Sequence, residues 1–445
     1  MAESLYIEYL ESRFKPTVDS IVKKINGEEG DRTYLHDKML TPKNAIQGKW
    51  ESVTSDNVYV MANFVSTDSE LPVKRRASLG KVTGNLVKSG MALSLNETQM
   101  QELDTMMAMN ADELDIMDIL MDDSTKCIRG EKELMECAFL EELSTGVCAI
   151  DDEEHEGLAV RIDAGYLDEN KFTPQYSWAD PNTAKPLDDF ERIIEAAEAK
   201  KRDLNFVWMD NTAWKQFRDS KQVREYVQGR DKKVYIGGQS ASDLPKSSLA
   251  EINKLLAEDE TYGNVQIRVI RFKAVREKKD HTYETIVPWA RGMVVFTRSE
   301  KVGKLWWADV AEDKHRVEGT TYVKIGNSVL LSKYTTNQPT LQEWTKIQGR
   351  QVPVIDGAEG IYQLDTQSVT TDGSEDNKIT IAGTEHKKSD VLTAFTTVTG
   401  ITLPAGISDA VFVALFNTLS KKVQADIVAA IVDTPDEEQG GGGGQ

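Results

Sequence analysis

A serine framed by glycine, Gly238-Gln239-Ser240-Ala241-Ser242, follows a predicted strand and has the outline of a nucleophile elbow. The second glycine of that pattern is replaced by Ser242, and Pro245 delays any helix, so Ser240 lacks the sharp turn that would expose it. Asp152, Glu154, Glu156, Gly157 and Asp163 fall on positions 1, 3, 5, 6 and 12 of a calcium loop. Glu is too long for the early positions, Asp is too short for the bidentate last ligand, and the following LAVRI reads as strand rather than helix. That segment is read as an acidic loop. Gly84 to Gly90 lacks the GK[ST] ending that places a lysine over phosphates. His36, His155, His281, His315 and His386 stand apart from one another, outside HExxH or HxH spacing. Cys127, Cys137 and Cys148, spaced 10 and 11 apart, fit neither a CxxC metal site nor a disulfide framework. They lie within roughly an 80° arc of a helical wheel and read as reduced thiols on a buried face. No catalytic constellation, cofactor or metal is expected, and a hydrolase using Ser240 or Asp210 is the enzymatic alternative.

The elements that would position such residues have to come from a chain of 445 residues with 53 Lys+Arg and 73 Asp+Glu, a net charge of −20. The length suggests two or three domains, and 40% hydrophobic content suffices for a sizeable core. The acidic balance repels phosphate, which argues against nucleic-acid binding as the main activity. The start, MAESLYIEYLESRFK, has no secretory pattern, so synthesis in a cytoplasm is expected. The longest uncharged stretch, Val391 to Ser408, falls short of the ~20 apolar residues that span a bilayer.

Residues 1–48 read as an arm: an amphipathic helix with Leu5, Tyr9, Ile21, Val22 and Ile25, interrupted by Pro16, then charged sequence too poor in apolar residues for its own core. NVYVMANFV is β-like. The segment after it, 66–95, contains Gly80, Gly84 and Gly90 and the basic Lys74, Arg75, Arg76, Lys81 and Lys88, which suits an outward-reaching hairpin. Glu97 to Asp123 carries nine acidic residues, no basic ones and six methionines. It reads as a methionine-filled core under an acidic exterior, or as a partner-binding face. A long helix is expected from a cap near Ser124 to Gly146. Residues 185–310 alternate as α/β, and TYVKIGNSVLLSKYTTNQPTLQEWTKIQ is strand, turn and strand.

The block FVWMDNTAWKQFRDSKQVREYV, with Trp214, Phe217, Arg218, Val223 and Glu225, resembles a strand and helix of the lambda-type major capsid proteins of tailed phages. YSWADPNTAKPLDDFERI before it, YGNVQIRVIRF and RGMVVFTRS after it, the hairpin, RGEKELMECAFLEELSTG and VPVI keep the same order, over about 50–355. The resemblance implies an α+β, Hong Kong 97-type phage capsid fold. Its parts map as an N-terminal arm at 1–48, a peripheral domain at 49–185 with an E-loop at 66–95 and a spine helix at 124–147. An axial domain at 186–318 and peripheral return strands at 319–355 complete it. It also implies a major capsid protein that self-assembles, through hexamers and pentamers, into the icosahedral shell around a tailed phage's DNA. Partners would be copies of itself, a scaffolding protein, a portal and a decoration protein, with no specific DNA binding and no membrane. The protein would be made in the host bacterial cytoplasm and end in the virion. An encapsulin-like compartment, with cargo enzymes and no portal, is the alternative within the fold. In either case Lys74, Arg75, Arg76, Lys81 and Lys88 are expected to contact acidic residues of a neighbouring subunit, the 97–123 stretch being one candidate.

Residues 357–434 lie outside the resemblance. Val411, Leu415, Leu419, Val423, Ile427 and Ile431 approach one helical face, so a small appended domain with its own core is expected, projecting from the outer surface. The tail, 435–445, is glycine-rich and expected to be flexible.

Overall fold

The structure is a computed structural model describing residues 4, 6, 14–25, 33–55, 79–109, 113–150, 160–230, 244–368, 378–381, 384–399, 412, 416, 419 and 421–431. It is an α+β fold. In chain order it begins with α1 (Phe14–Ile25), α2 (Leu35–Met39), β1 (Leu40–Asn44), β2 (Lys49–Ser55), β3 (Leu79–Asn85) and β4 (Lys88–Leu95). Then come α3 (Glu97–Ala108), α4 (Glu113–Thr145), β5 (Val147–Ile150), β6 (Val160–Asp163), β7 (Lys171–Phe172) and α5 (Pro186–Ala199). The α/β region contributes β8 (Phe206–Asp210), α6 (Asn211–Asp219), α7 (Lys221–Arg230), α8 (Leu249–Ala257), β9 (Gln266–Ile270), β10 (Ala274–Glu277), β11 (Tyr283–Ile286) and β12 (Met293–Thr297). After it come β13 (Gly303–Trp307), α9 (Ala311–Lys314), β14 (Thr321–Ile325), β15 (Val329–Thr336), β16 (Gln342–Ile355), β17 (Tyr362–Asp365), β18 (Lys378–Ile381), β19 (Thr384–Lys387), α10 (Lys388–Thr399) and α11 (Lys421–Ala430).

The chain divides into two compact units that interleave in sequence: Met1–Lys171, Ile193–Trp214 and Leu249–Gln363 form the first, and Phe172–Arg192, Lys215–Ser248 and Leu364–Gln445 the second. In the first unit β16 is the hub. Its residues 342–348 pair antiparallel with β15, 343–350 with β4 and 351–355 with β13, and β1 adds parallel to β13. A second sheet in this unit places β8 between antiparallel β12 and parallel β9.

Helix α4 has 33 residues and β16 has 14. At 1.5 Å and ~3.3 Å per residue both come to roughly 45–50 Å, so one helix can lie along the whole strand. The contacts follow in order along both: Cys127 Sγ faces Thr345 O at 3.8 Å, Glu131 Oε1 accepts from Gln351 Nε2 at 3.0 Å, and Glu142 Oε1 accepts from the Ile355 N–H at 3.1 Å. Helix and strand therefore run in the same direction. Apolar packing surrounds this line, with Leu120, Ile128, Leu331 and Ile347 in one core and Phe139, Leu140, Leu143, Val295 and Ile355 in another.

The expected helix start near Ser124 is corrected. Ser124 is fully buried inside α4, which begins at Glu113. The helix that precedes it carries the side-chain cap instead: Asn96 Oδ1 accepts from the Gln99 N–H and Gln99 Oε1 from the Asn96 N–H, each at 3.0 Å. Pro16 does not interrupt α1 but occupies its first turn, where a missing N–H costs nothing. Phe14, Val18 and Ile25 of α1 are buried in the α4 core of the same protomer, so this part of the arm is anchored. Residues 357–363, assigned by sequence to the appended domain, belong to the first unit: Ile361 is in its core, and Asn170 Nδ2 donates to Glu359 O at 3.0 Å. Further on, Val391, Ala394, Phe395, Phe412, Phe416 and Ile427 form a separate apolar cluster, with Leu419, Val423 and Ile431 packed on it. Val411, Leu415 and the tail lie outside the described residues.

Glu142 is fully buried, and desolvation, which outweighs the Ile355 N–H bond, raises its carboxyl to about 8, with Asp356 and Asp163 adding to the rise. The native protein thus holds a proton that the unfolded chain releases above the ordinary carboxylate range. The native advantage is complete below pH ~4.5, falls by up to about 1.4 kcal/mol per pH unit as pH rises, and levels off near 8. Glu142→Gln keeps the acceptor for Ile355 without the ionisation. We expect urea midpoints of the variant to decline less between pH 5 and 8, as roughly one fewer proton linked to unfolding.

Candidate assembly surfaces

β2 and β3 form a two-stranded ribbon, from Lys49 opposite Asn85 to Ser55 opposite Leu79, and pair with no other strand among the described residues. Its base is anchored. Trp50 is buried with Leu86, Cys148, Ile162, Trp306 and Val352, and the Leu86 N–H donates to Gly48 O at 2.8 Å. Trp50 lies directly over Gly84, where an added Cβ would stand 2.6 Å from the indole nitrogen. Only glycine leaves room for that ring.

Of the five basic residues singled out by sequence, Lys81 and Lys88 lie on described backbone, in different sheets. Lys74, Arg75 and Arg76 lie outside the described residues. Lys81 is on β3, opposite Val53. Lys88 is exposed at the start of β4, opposite Arg350 of β16, so it belongs to the central sheet rather than to a hairpin reaching 95. The single outward hairpin expected over 66–95 is thereby replaced: β3 turns back onto β2, and β4 completes the sheet.

The candidate reactive residues take structural positions or fall outside the described residues. Asp210 accepts from the N–H groups of Thr212 at 3.0 Å, Ala213 at 2.9 Å and Gly292 at 3.2 Å, an N-cap for α6 in which both carboxylate oxygens hold backbone. Gly238 to Ser242, and Asp152 to Gly157, lie outside the described residues. Asp163 ends β6 and accepts from the Gly165 N–H at 2.9 Å. No group of three or more His, Cys, Asp or Glu among the described residues could hold a metal ion. All three cysteines are free; Cys127 and Cys148 are buried and Cys137 half-buried. Burial pushes the thiols of Cys127 and Cys137 up to about 12 and raises Cys148 further, so all stay protonated near neutrality. Cys148 is on β5, not on the helix shared by the other two.

Sequence reading missed two features. One is the line of buried ionisable groups around α4. Glu136 accepts from the N–H groups of Leu35 and His36, each at 2.9 Å, and meets His36 Nδ1 at 2.7 Å. Lys333, fully buried, donates from Nζ to Leu120 O at 2.7 Å, and desolvation lowers its pKa. Glu343 accepts from Ser4 and Thr335 hydroxyls at 2.5 Å. The other is the β10–β11 ribbon, whose alternating AVRE and YETIV around a KKDHT turn is a hairpin signal.

In the second unit the Trp/Phe pattern of the resemblance is core. Trp178, Phe190 and Phe217 are fully buried, with Phe190 and Phe217 stacked at 5.1 Å, and Trp178 Nε1 donates to Asp189 at 2.8 Å. No helix among the described residues is long and apolar enough to cross a membrane.

No protein-family model and no curated protein matches the chain. Among solved structures it is similar to a protein assigned as the capsid protein of a prophage of E. coli CFT073, at 14% identity over 78% of this chain and 98% of that one, with a TM-score of 0.47. Its structural neighbours are phage capsid proteins and their relatives. They include a phage-related protein of Bordetella bronchiseptica RB50, at 12% identity over 79% and 96% of the two chains with a TM-score of 0.46. The SrpI encapsulin of Synechococcus elongatus PCC 7942 matches at 11% identity over 76% and 89%, with a TM-score of 0.36.

The Trp50–Gly84 contact gives the ribbon a testable anchor. Gly84→Val forces the indole away from the core, and we expect a loss of about 1–3 kcal/mol of stability in denaturant titrations. Limited proteolysis of the variant is expected to cut within 49–85 sooner than in the parent.

Proposed function

We propose that the chain is a major capsid protein of the tailed-phage type, a structural subunit that assembles with copies of itself into an icosahedral shell around DNA. The observation that carries this reading is the β2–β3 ribbon: two anchored strands with no partner strand among the described residues beyond each other, attached to a unit built on one long helix and one long strand. Unpaired strand edges on a rigid body are a template for pairing with another chain, and a closed ring of copies satisfies them without a second protein. The sequence resemblance over about 50–355 supports the same reading. Hexamers and pentamers are the expected units, with a scaffolding protein, a portal and a decoration protein as further partners. Lys74, Arg75, Arg76, Lys81 and Lys88 are proposed as intersubunit contacts; each exposed pair is worth only ~0.2–1 kcal/mol, so their effect comes from repetition around a ring. The net charge of −20 suits an inner wall that does not hold packaged DNA. The region from 378 onward has its own core, which supports an appended role, facing outward, separate from closure of the shell.

Negative-stain microscopy and sedimentation of the expressed protein, with and without a scaffold, test the reading. The parent is expected to form capsomers or closed particles. Replacing 56–78 by a short Gly/Ser turn is expected to leave circular dichroism unchanged and stop assembly. A parent that stays monomeric at high concentration with scaffold present, or a variant lacking 56–78 that assembles normally, would contradict it.

A further inference from the structure

Residues 268–291 carry seven basic side chains and three acidic ones, a positive island in a chain of net charge −20. β10 and β11 lie at its centre, with Ala274 opposite Ile286 and Glu277 opposite Tyr283. Alternation along the strands gives this ribbon two faces. Ala274 is buried and Arg276, Glu284 and Ile286 are half-buried on one face; Val275, Glu277, Tyr283 and Thr285 are exposed on the other. Val287 extends the exposed face. Val275 is 62% exposed, Tyr283 75% and Val287 55%, which puts three large apolar side chains in water on one short ribbon. Its outer edges pair with no strand among the described residues. Beside it a cavity of about 770 Å³ is lined by Phe272, Val287 and Trp289 together with Arg271, Lys273 and Arg291.

A surface of opposite character lies elsewhere on the same chain. α3 carries three acidic residues and no basic one, while its Met100 is buried and Met106 and Met107 pack on the core of their own protomer. Glu97 and Glu102 are exposed, as are Met109 (76%) and Ile119 (41%). We infer that the β10–β11 ribbon and its cavity receive the acidic face of α3, with the exposed Met109 at its end, of a second copy of this chain.

Each copy then offers one of each surface, a head-to-tail contact of the kind that closes into rings. Exposed apolar groups rimmed by charge mark an interaction site, complementary charge sets its register, and the flexible Met109 side chain adapts to an uneven cavity. A phosphate backbone would meet the arginines but leave Val275, Tyr283 and Val287 uncovered, so the observations favour protein over nucleic acid. The inference rests on the shell reading above and adds which surfaces meet within it.

Three full-length variants test it: Arg271→Glu with Arg291→Glu, Val275→Ser with Tyr283→Ser, and Glu97→Lys with Glu102→Lys. All six side chains are exposed, and unchanged circular dichroism checks folding. Each variant alone is expected to need roughly tenfold more protein than the parent to associate, by light scattering or sedimentation. An equimolar mixture of the two charge-reversed variants is expected to recover parental association, because each then presents the surface the other requires. Variants that assemble at the parental concentration, or a mixture no better than its components, overturn the inference while the shell reading stands. The same holds if the arginine variant assembles normally and loses only retention of duplex DNA. A parent that never associates overturns both. Should one charge reversal fail to fold, the Val275/Tyr283 variant decides alone.

Discussion

A carboxylate of helix α4 holds the backbone of β16 at Ile355, and a second holds its side chain at Gln351; the rest of the first unit follows from that contact. β16 is bonded to β15, β4 and β13, so fixing it against the helix fixes three further strands and, through β13, the parallel β1. Apolar packing alone would tolerate a slip of the helix along a strand. Buried polar groups do not, because each displaced donor or acceptor loses its partner in a site without water. Glu131, with Ser89 and Gln351, and Glu136, with His36 and the start of α2, add fixed points along the same helix. Burial raises the Glu131 carboxyl as it does Glu142, so this register is held at an electrostatic cost. Ionic and polar burial of this kind specifies one arrangement more than it adds stability.

A rigid sheet lets small projections be aimed. The β2–β3 ribbon leaves the unit from Trp50, whose ring is wedged over Gly84, and the β10–β11 ribbon presents its apolar face beside the cavity that contains Trp289. Both are two-stranded, and such pairs are marginal unless something else covers them. Their chemistry differs, one being anchored by aromatic packing at its base and the other carrying its apolar groups outward. A subunit needing several contacts per ring could use both without either being large.

The α+β class, the helices α5 and α8 and the strands β8, β9 and β12 were legible because their pattern is strong: Phe190, Ile193, Ile194 and Ala197 recur at helical spacing and FVWM, 206–209, is continuously apolar. One expected helix over TAWKQFRDSKQVREYV is two, divided at Ser220, whose hydroxyl donates to Phe217 O at 2.8 Å. The start of α4 was hidden because acidic side chains before Ser124 read as an exterior, although Ile116, Leu120 and Met121 behind them are buried. Buried Glu131, Glu142 and Lys333 gave no signal at all, since ionisable residues are ordinarily exposed and only tertiary packing places them inside. The hairpin boundary failed for a related reason. Strand pairing is non-local, so nothing in KSGMALSL says that β4 joins β16 more than 240 residues later rather than β3 beside it.

In the proposed shell, α4 and the central sheet form a fixed plate, and a neighbouring copy completes the two ribbons. Hydrogen exchange read peptide by peptide, on the protomer and on its assembled form, tests this most directly. Amides of α4 and β16 are expected to be equally slow in both states, while those of β2, β3, β10 and β11 exchange readily in the protomer and become protected on assembly. Ribbon amides already slow in the protomer, or protection gained in α4 and β16 instead, would contradict it.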